Sequence, residues 1–318
     1  MSTAATQPAE PSTSAPPVIR AAVIGGGLMG HGIAQVLALG GVHVAVHDVD
    51  PAVLGDVPRR VADNLQALGH DRDAISRISL AGTLGDALVD VDWVFEAAPE
   101  RLELKQELFA TLDHAAPAHA VLATNTSVMS IAEIASRARG RHRIIGTHWW
   151  NPPFQMPLVE VVQAPETDPE VVARTMTFLT ALGKTPVHVK RDVPGFVGNR
   201  LQHALWREAF NLVDDGVCDA ETIDTVVKSG FGLRMPILGP IENADLIGLD
   251  LTLDIHEYIL PRLDPPSQPS PGLRARVHAG NLGMKTGTGF RDWTPTAADS
   301  LRGSLRAYLA RASREGRR

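Results

Sequence analysis

A histidine and a glutamate that could act together lie in neighbouring apolar stretches of the sequence. His148 closes a predicted strand, and Glu160 stands inside Leu158–Val162, where every neighbour is apolar. A buried carboxylate is costly unless it is paired, and His148 is the nearest partner. A carboxylate bonded to one imidazole nitrogen fixes the tautomer and raises the basicity of the other nitrogen, which can then accept a proton from a hydroxyl group. We therefore expect His148 to be a general base and Glu160 to support it.

A glycine-rich turn near the N-terminus has the spacing Gly-x-Gly-x-x-Gly. It directly follows a predicted strand and opens a predicted helix, and in this context such a turn binds the pyrophosphate of a dinucleotide. The first glycine allows a tight turn, the second lets the backbone approach the phosphates, and the third lets helix and strand pack closely. The predicted cofactor-binding residues of the turn are Gly25, Gly27, Leu28, Met29 and Gly30.

An acidic residue follows the second predicted strand, His43–His47, at the distance expected for ribose recognition. Asp48 lies 18 residues beyond Gly30, where its carboxylate can accept hydrogen bonds from the adenosine ribose hydroxyls. The same charge would repel a 2′-phosphate, and neither Val49 nor Asp50 could receive one. The sequence therefore predicts NAD, rather than NADP, as the cofactor.

Short β-rich runs alternate with amphipathic helical stretches through the first half of the chain, a pattern typical of a parallel sheet covered by helices on both faces. One such helix carries Leu104, Leu108 and Phe109 at helical spacing. The predicted strands are Arg20–Ile24, His43–His47, Trp93–Ala97, Val121–Thr124, Ile144–His148, Leu158–Gln163 and Pro186–Lys190.

The strand pattern stops after Asp192-Val193-Pro194-Gly195, and Phe196–Val217 is predicted to form one long helix. Further helices are expected to start at Asp219 and Asp224, and residues 264–269 read as a loop. The predicted fold class is α/β, with an N-terminal Rossmann-type doubly wound sheet followed by a smaller all-α C-terminal domain. The predicted divisions are a disordered tail at 1–17, an NAD-binding domain at 18–194, a helical domain at 195–293 and a basic extension at 294–318.

Composition narrows the classes of protein to which the chain could belong. Of its 318 residues, 44% are hydrophobic and 21% are charged, as in globular proteins. The net charge of −6 disfavours binding to the phosphate backbone of nucleic acid. No run of about 18 apolar residues could span a membrane. One cysteine, Cys218, excludes an internal disulfide, and no Cys/His cluster has zinc spacing, so we expect a cytoplasmic protein without a metal site.

From residue 18 to residue 293 the chain resembles the 3-hydroxyacyl-CoA dehydrogenase family. The resemblance rests on several signatures that occur in order along the sequence. Besides the glycine turn they are Phe95-Glu96-Ala97-Ala98-Pro99-Glu100, Thr124-Asn125-Thr126-Ser127, Thr147-His148 with Asn151-Pro152, Leu158-Val159-Glu160-Val161, and Asp192-Val193-Pro194-Gly195-Phe196-Val197-Gly198-Asn199-Arg200.

The resemblance implies roles at the matching positions. It implies that His148 is the base with Glu160 as its partner, and that Ser127 and Asn199 hydrogen-bond the substrate oxygens. It also places Glu100 and Asn125 at the cofactor. Ser127 and Asn199 could instead be helix caps. The resemblance further implies a homodimer formed through the helical domain, since that domain makes the subunit contact in the family.

The chain departs from the family pattern around the expected substrate site. Pro157 stands where members acting on CoA thioesters usually carry lysine, Trp149-Trp150 replaces Phe-Phe, and Asn151-Pro152-Pro153 replaces Asn-Pro-Val. Arg59 and Arg60 are candidates to meet CoA phosphates. Three functions therefore stay open: oxidation of a 3-hydroxyacyl-CoA in fatty acid metabolism, the same chemistry on a free 3-hydroxy acid or alcohol resembling carnitine, gulonate or a pyridine carboxylate, and a non-catalytic dinucleotide-binding protein.

Overall fold

The computed structural model describes residues 18–263 and 271–315, with side chains described as far as residue 311. The predicted tail at 1–17, the loop at 264–269 and the last residues of the extension therefore lie outside the described residues. The described chain divides into two compact units, the first ending at Phe196 and the second beginning at Val197.

The first unit is built on one eight-stranded sheet in the order β3-β2-β1-β4-β5-β6-β7-β8. The strands are β1 Arg20–Ile24, β2 His43–His47, β3 Ile78–Leu80, β4 Trp93–Glu96, β5 Val121–Thr124, β6 Ile144–Trp149, β7 Leu158–Val162 and β8 Thr185–Val189. The helices of this unit are α1 Gly30–Leu39, α2 Pro51–Leu68, α3 Leu84–Ala87, α4 Leu102–Ala115, α5 Ile131–Ile134 and α6 Pro169–Ala181. This arrangement confirms the α/β fold class with a Rossmann-type sheet.

One pair of strands departs from the parallel sheet that the alternating pattern predicted. In the order β3-β2-β1-β4-β5-β6, each strand is parallel to its neighbours. Strand β7 runs antiparallel to β6, and β8 is parallel to β7. Only eight residues, 150–157, join β6 to β7. A parallel pair needs a crossover of about a dozen residues or more, so this connection can only return the chain antiparallel.

The remaining differences from the predicted elements are local. All seven predicted strands are present, with ends that differ by at most one residue, whereas β3 was missed because it has three residues and no buried side chain. The helix predicted from Leu104, Leu108 and Phe109 is present as α4, where Lys105, Phe109 and Leu112 are the buried residues and Leu108 packs partly buried against the core.

Apolar side chains pack on both faces of the sheet. Alternate residues of a strand point to opposite faces, so neighbouring Ala22 and Val23 of β1 join different clusters. Val23 packs with residues of α1, α2 and α6, and Ala22 packs with residues of α4 and α5. Both cores hold the carboxyl ends of the central strands in place.

The second unit is helical, as predicted, with α7 Gly198–Asp214, α8 Ala220–Ser229, α9 Pro240–Ile247, α10 Leu249–Ile259, α11 Pro271–His278 and α12 Pro295–Glu315. Asp219 caps α8 by accepting a hydrogen bond from the Thr222 N–H at 2.7 Å. Asp224 lies inside α8, so the helix start predicted there was wrong. None of the described helices is long and apolar enough to cross a membrane.

The helices α7 to α11 bury none of their described residues. Large apolar side chains of the unit are exposed to solvent, including Ile241 of α9 at 75% and, between α8 and α9, Leu233 at 72% and Ile237 at 83%. A helix normally buries its apolar stripe against a neighbour. In this unit the apolar surface is left without a cover from the described part of the chain.

A buried ion pair ties α4 to the segment that leads into β6. The Asp113 carboxylate accepts hydrogen bonds from the N–H groups of Arg139 and Gly140, both at 2.9 Å, and from Arg143 Nη2 at 3.0 Å. Burial raises the pKa of Asp113, but these three donors together hold its pKa below the ordinary value. Asp113 therefore stabilises the fold in its ionised, carboxylate form.

Substitution of this carboxyl should have a pH-dependent effect on stability. Because the pKa of Asp113 is lower in the folded protein, its contribution is present above the ordinary pKa of about 3.9 and is lost as pH falls through the folded value. Asp113→Asn should lower the free energy of unfolding near neutral pH by about 1–3 kcal/mol, and the difference should shrink below about pH 4. Urea denaturation at both pH values measures this.

The matched control is Asp299→Asn, which removes an exposed aspartate that pairs with Arg302. Exposed ion pairs contribute little, so this variant should unfold like the parent protein at both pH values. A stability loss in Asp113→Asn that is the same at acidic and neutral pH would contradict the assignment.

Candidate active site

The predicted functional residues of the first unit lie at one edge of the sheet. Strands β1, β4, β5 and β6 are parallel, so their carboxyl ends share an edge, where ligands of open α/β sheets bind. The glycine turn follows β1, Glu100 follows β4, Ser127 follows β5, and His148 lies near the end of β6. The topology therefore brings the cofactor turn and the expected base to the same edge.

His148 and Glu160 form a buried pair across the antiparallel strands β6 and β7. The register sets the two residues directly opposite each other, and His148 Nδ1 lies 2.7 Å from Glu160 Oε2. The side chains are 6% and 1% exposed. Because an ionised carboxylate can only accept, Nδ1 carries the proton that it donates to Glu160. The second nitrogen, Nε2, is then the atom that can accept a proton.

A second buried ion pair, between Glu96 and Lys105, lies at the end of β4. Lys105 Nζ lies 2.6 Å from Glu96 Oε1, and the two side chains are 1% and 0% exposed. Glu96 also accepts hydrogen bonds from the Ala98 N–H at 2.7 Å and from Thr124 Oγ1 at 2.6 Å. These bonds join the ends of β4 and β5 and fix the start of the loop that carries Glu100.

Glu100 and Ser127, two predicted site residues, are brought together by this network. Glu100 Oε1 accepts a hydrogen bond from the Ser127 N–H at 2.9 Å and another from the Thr126 hydroxyl. Its other oxygen lies 3.4 Å from Lys105 Nζ. The Glu100 side chain is 37% exposed, so it is held in place but stays accessible at the sheet edge.

Sequence reasoning missed Lys105, although the sequence carried a signal for it. Lys105, Phe109 and Leu112 recur at helical spacing and form the buried stripe of α4. A lysine in such a stripe requires a buried partner, because an unpaired ammonium group is costly to bury. Interpreting α4 by this rule would have pointed to a nearby acid such as Glu96.

Of the two predicted asparagines, Asn125 lies in the first unit and Asn199 in the second. The Asn125 side-chain oxygen accepts a hydrogen bond from the Trp149 N–H at 2.9 Å, which ties the loop after β5 to the end of β6. Asn199 belongs to the second unit, where it is the second residue of α7. The cofactor role of Asn125 and the substrate role of Asn199 stay predictions.

The glycine turn has the shape that a pyrophosphate requires. Gly25 adopts a φ of +102°, and a Cβ there would lie 2.6 Å from the Ala97 carbonyl oxygen. A Cβ on Gly30 would lie 1.7 Å from the Gly25 oxygen, so only glycine allows α1 to start so close to β1. Gly27 has no atom within 4 Å of its Cβ position, which leaves an open side for a ligand.

A cavity of about 730 Å³ lies between the turn, the end of β2 and α4. Its lining includes Gly27, Leu28, Met29, Asp48, Ala97 and Leu108. Asp48 Oδ2 accepts a hydrogen bond from the Gly26 N–H at 2.7 Å, and Oδ1 accepts one from the Asp50 N–H at 2.9 Å. The residues present therefore fit NAD, with a carboxylate fixed where the adenosine ribose would bind. The described residues contain no group of three or more His, Cys, Asp or Glu side chains that could hold a metal ion.

Changing Asp48 should alter the choice of cofactor. Asp48→Ala removes both the acceptor for the ribose hydroxyls and the charge that repels a 2′-phosphate. We expect the ratio of kcat/KM with NAD to kcat/KM with NADP to fall about 10-fold or more, the equivalent of one hydrogen bond to a charged group. Steady-state kinetics with both cofactors measures the ratio.

The matched control is Asp50→Asn, which keeps the side-chain oxygen that caps α2 at the Ala52 N–H and does not line the cavity. This variant should keep the parent cofactor ratio. An unchanged ratio in Asp48→Ala would exclude Asp48 as the ribose-binding residue.

Two family models match the chain over most of its length. The NAD binding domain of 3-hydroxyacyl-CoA dehydrogenase matches residues 20–193, and the C-terminal domain of 3-hydroxyacyl-CoA dehydrogenase matches residues 195–293. The boundary between the two matches lies within three residues of the point where the structure divides into its two units.

Relatives in two substrate classes match the chain. It is 40% identical over 280 residues to a probable 3-hydroxybutyryl-CoA dehydrogenase of Bacillus subtilis, covering 85% of this chain and 96% of the relative. It is 33% identical over 304 residues to the 5-formyl-3-hydroxy-2-methylpyridine 4-carboxylate 5-dehydrogenase of Mesorhizobium japonicum, covering 93% of this chain and 98% of the relative.

The similarity extends to the solved structure of a dehydrogenase with the latter activity. A crystal structure of 5-formyl-3-hydroxy-2-methylpyridine 4-carboxylic acid 5-dehydrogenase, described as an NAD⁺-dependent dismutase, matches with a TM-score of 0.87 and 31% identity. It covers 95% of this chain and 99% of that one, so the match extends past residue 293, where the second family model ends. On the two family models and these relatives, the chain belongs to the 3-hydroxyacyl-CoA dehydrogenase family of NAD-dependent dehydrogenases.

Proposed function

We propose that the protein catalyses the NAD-dependent oxidation of the 3-hydroxyl group of a 3-hydroxyacyl-CoA, or the reverse reduction, with His148 as general base. The observation that carries the proposal is the buried contact of 2.7 Å between His148 Nδ1 and Glu160 Oε2 at the sheet edge that also holds the glycine turn. Such a substrate would place the enzyme in fatty acid metabolism.

The residues of the chain handle the proton of this reaction. His148 Nε2 accepts the proton of the substrate hydroxyl, and Glu160 stabilises the imidazolium that forms. Bound NAD would supply the acceptor for the hydride that leaves the carbon bearing this hydroxyl group. Ser127 and Asn199 are proposed to hydrogen-bond the substrate oxygens, and Glu100 to lie beside the nicotinamide. In the reverse direction His148 returns the proton to the oxygen.

Removal of the base or of its partner should lower turnover without lowering cofactor affinity. His148→Gln should reduce kcat by about 10²- to 10⁴-fold, the usual contribution of general acid–base catalysis. Glu160→Gln keeps the shape of the side chain but removes its charge, so kcat should fall as well while the Kd for NAD changes little. Stopped-flow kinetics and NAD titration by fluorescence measure the two quantities. A His148→Gln enzyme with the parent kcat would exclude His148 as the base.

A free hydroxy carboxylic acid is the second candidate substrate, and specific observations favour it. Arg59, a candidate to meet CoA phosphates, is held by Asp56 at 2.6 Å and by Asp63 at 2.9 Å. Arg60 Nη1 lies 3.3 Å from the Gly26 carbonyl oxygen. Both arginines therefore have partners in the chain. The match to the pyridine carboxylate dehydrogenase also includes part of the extension at 294–318, which neither family model includes.

A substrate panel separates the candidates. We expect NADH formation with (S)-3-hydroxybutyryl-CoA if the thioester is the substrate. Formation only with free hydroxy acids, including carnitine, gulonate and a hydroxymethyl pyridine carboxylate, would select the second candidate. The His148→Gln enzyme serves as the blank in each assay. NAD binding without turnover of any compound would favour the non-catalytic alternative.

We further propose that the second unit forms a homodimer. Its helices α7 to α11 bury none of their described residues, and large exposed apolar surface marks an interaction site. A second copy of the same unit is the partner that the family resemblance implies.

The free cysteine, Cys218, suits the reducing cytoplasm, where we place the enzyme.

Charges placed on this apolar surface should prevent dimerisation. Ile237 and Ile241 are 83% and 75% exposed, so the double variant Ile237→Asp and Ile241→Asp should not destabilise the isolated unit. We expect the parent protein to sediment as a dimer and the variant as a monomer at micromolar concentration. Val89→Asp, at a 62% exposed site of the first unit, is the control and should stay dimeric. A monomeric parent protein would exclude the dimer.

A further inference from the structure

A single hydrogen bond does not determine where the proton-accepting atom of His148 points. The bond from Nδ1 to Glu160 Oε2 fixes one corner of the imidazole, but the ring can still tilt about that bond. A small displacement of a reacting group is costly, since a misplacement of about 1 Å can slow a reaction about 10²-fold. The direction of Nε2 must therefore be fixed by what packs against the ring.

Two aromatic side chains contact the imidazole. The ring centroid of Trp150 lies 5.3 Å from that of His148 with an interplanar angle of 48°, and that of Phe196 lies 5.7 Å away at 54°. Both distances fall in the range of direct ring contact. The base is thus packed against one ring from its own strand end and another from the end of the first unit.

The Trp150 ring acts here through its shape. Its indole Nε1 is buried and has no hydrogen-bond partner among the described residues. The residue follows β6 directly, two positions after His148, so its ring lies beside the base without any intervening loop. Replacement by phenylalanine would keep an aromatic ring at this position and remove no hydrogen bond within the described protein.

Phe196 is held against the base by its backbone. It is 1% exposed and has a φ of +50°, a conformation that bulky L-residues rarely adopt. The preceding segment is anchored to the loop after β5. The Gly195 N–H donates to the Val128 carbonyl oxygen at 3.2 Å, and Asp192 Oδ2 accepts hydrogen bonds from Ser130 Oγ at 2.6 Å and the Ala132 N–H at 2.8 Å.

We propose that Trp150 and Phe196 are positioning residues that hold the His148 imidazole, and so the direction of Nε2, for proton transfer. The proposal rests on the proposed role of His148 as the base. The two rings act through His148 and touch neither proton nor hydride. Phe196, the last residue of the first unit, combines this unusual backbone conformation with a ring that contacts the imidazole.

Removal of either ring should lower turnover more than binding. Trp150→Leu and Phe196→Leu keep an apolar side chain but remove the ring face, and we expect kcat to fall about 10-fold while KM and the Kd for NAD change less than about twofold. Trp150→Phe should restore most of the kcat that Trp150→Leu loses. Phe178→Leu removes a buried ring that stacks on Trp93 and should leave kcat at the parent value.

A double-mutant cycle distinguishes positioning from packing. Residues that act through the imidazole lose their effect once it is gone, so adding Trp150→Leu or Phe196→Leu to His148→Gln should not slow the residual single-turnover rate further. A further 10-fold loss in that background would overturn the proposal. A parent kcat in both single leucine variants would also overturn it, whereas a parent kcat in His148→Gln would overturn the proposed function instead.

A spectroscopic readout makes the test independent of activity and of a general loss of stability. The Nδ1 proton that His148 donates to Glu160 should give a downfield imidazole resonance in protein labelled with ¹⁵N-histidine, assigned by its loss in His148→Gln. We expect this resonance to broaden or shift in Trp150→Leu and Phe196→Leu, and to stay in place in Phe178→Leu. An unchanged resonance in the folded leucine variants would overturn the proposal.

Discussion

The pairing of His148 with Glu160 across two antiparallel strands is the interaction on which the rest of the candidate active site depends. Both side chains are almost fully buried, and a carboxylate in that position needs a hydrogen-bonded partner. The short return from β6 to β7 makes the strands antiparallel and sets the two residues opposite each other. The one reversal of direction in the sheet therefore creates the pair that is proposed to move the proton.

The expected cofactor side of the candidate site is organised by a second buried pair. Lys105 and Glu96 join α4 to the end of β4, and Thr124 extends the network to β5. This network holds Glu100 against the N–H of Ser127, so the loop after β4 and the loop after β5 are fixed relative to each other. The glycine turn takes its shape from the close approach of α1 to β1, and the hydrogen bond from the Gly26 N–H to Asp48 ties it to the end of β2.

The sequence predicted most of the strands and the cofactor turn because their signals are local. Apolar runs mark the buried strands, and the spacing from the glycine turn to Asp48 spans a single β-α-β unit. Signals that are short or lie in an unexpected pattern were missed. Strand β3 has three residues and no buried side chain, and Lys105 is a charged residue among the buried residues of a helix that was recognised by its apolar residues alone.

By itself, the sequence determined the fold class, the glycine turn between β1 and α1 and the pairing of His148 with Glu160, since each depends on contiguous patterns or on a buried charge that requires a partner. Tertiary structure decided the antiparallel register, the contact of Lys105 with Glu96, and the packing of Phe196 against the imidazole. Phe196 lies 48 residues from His148 in the chain. Such contacts depend on strand order and on the path of distant loops, which no local pattern of residues encodes.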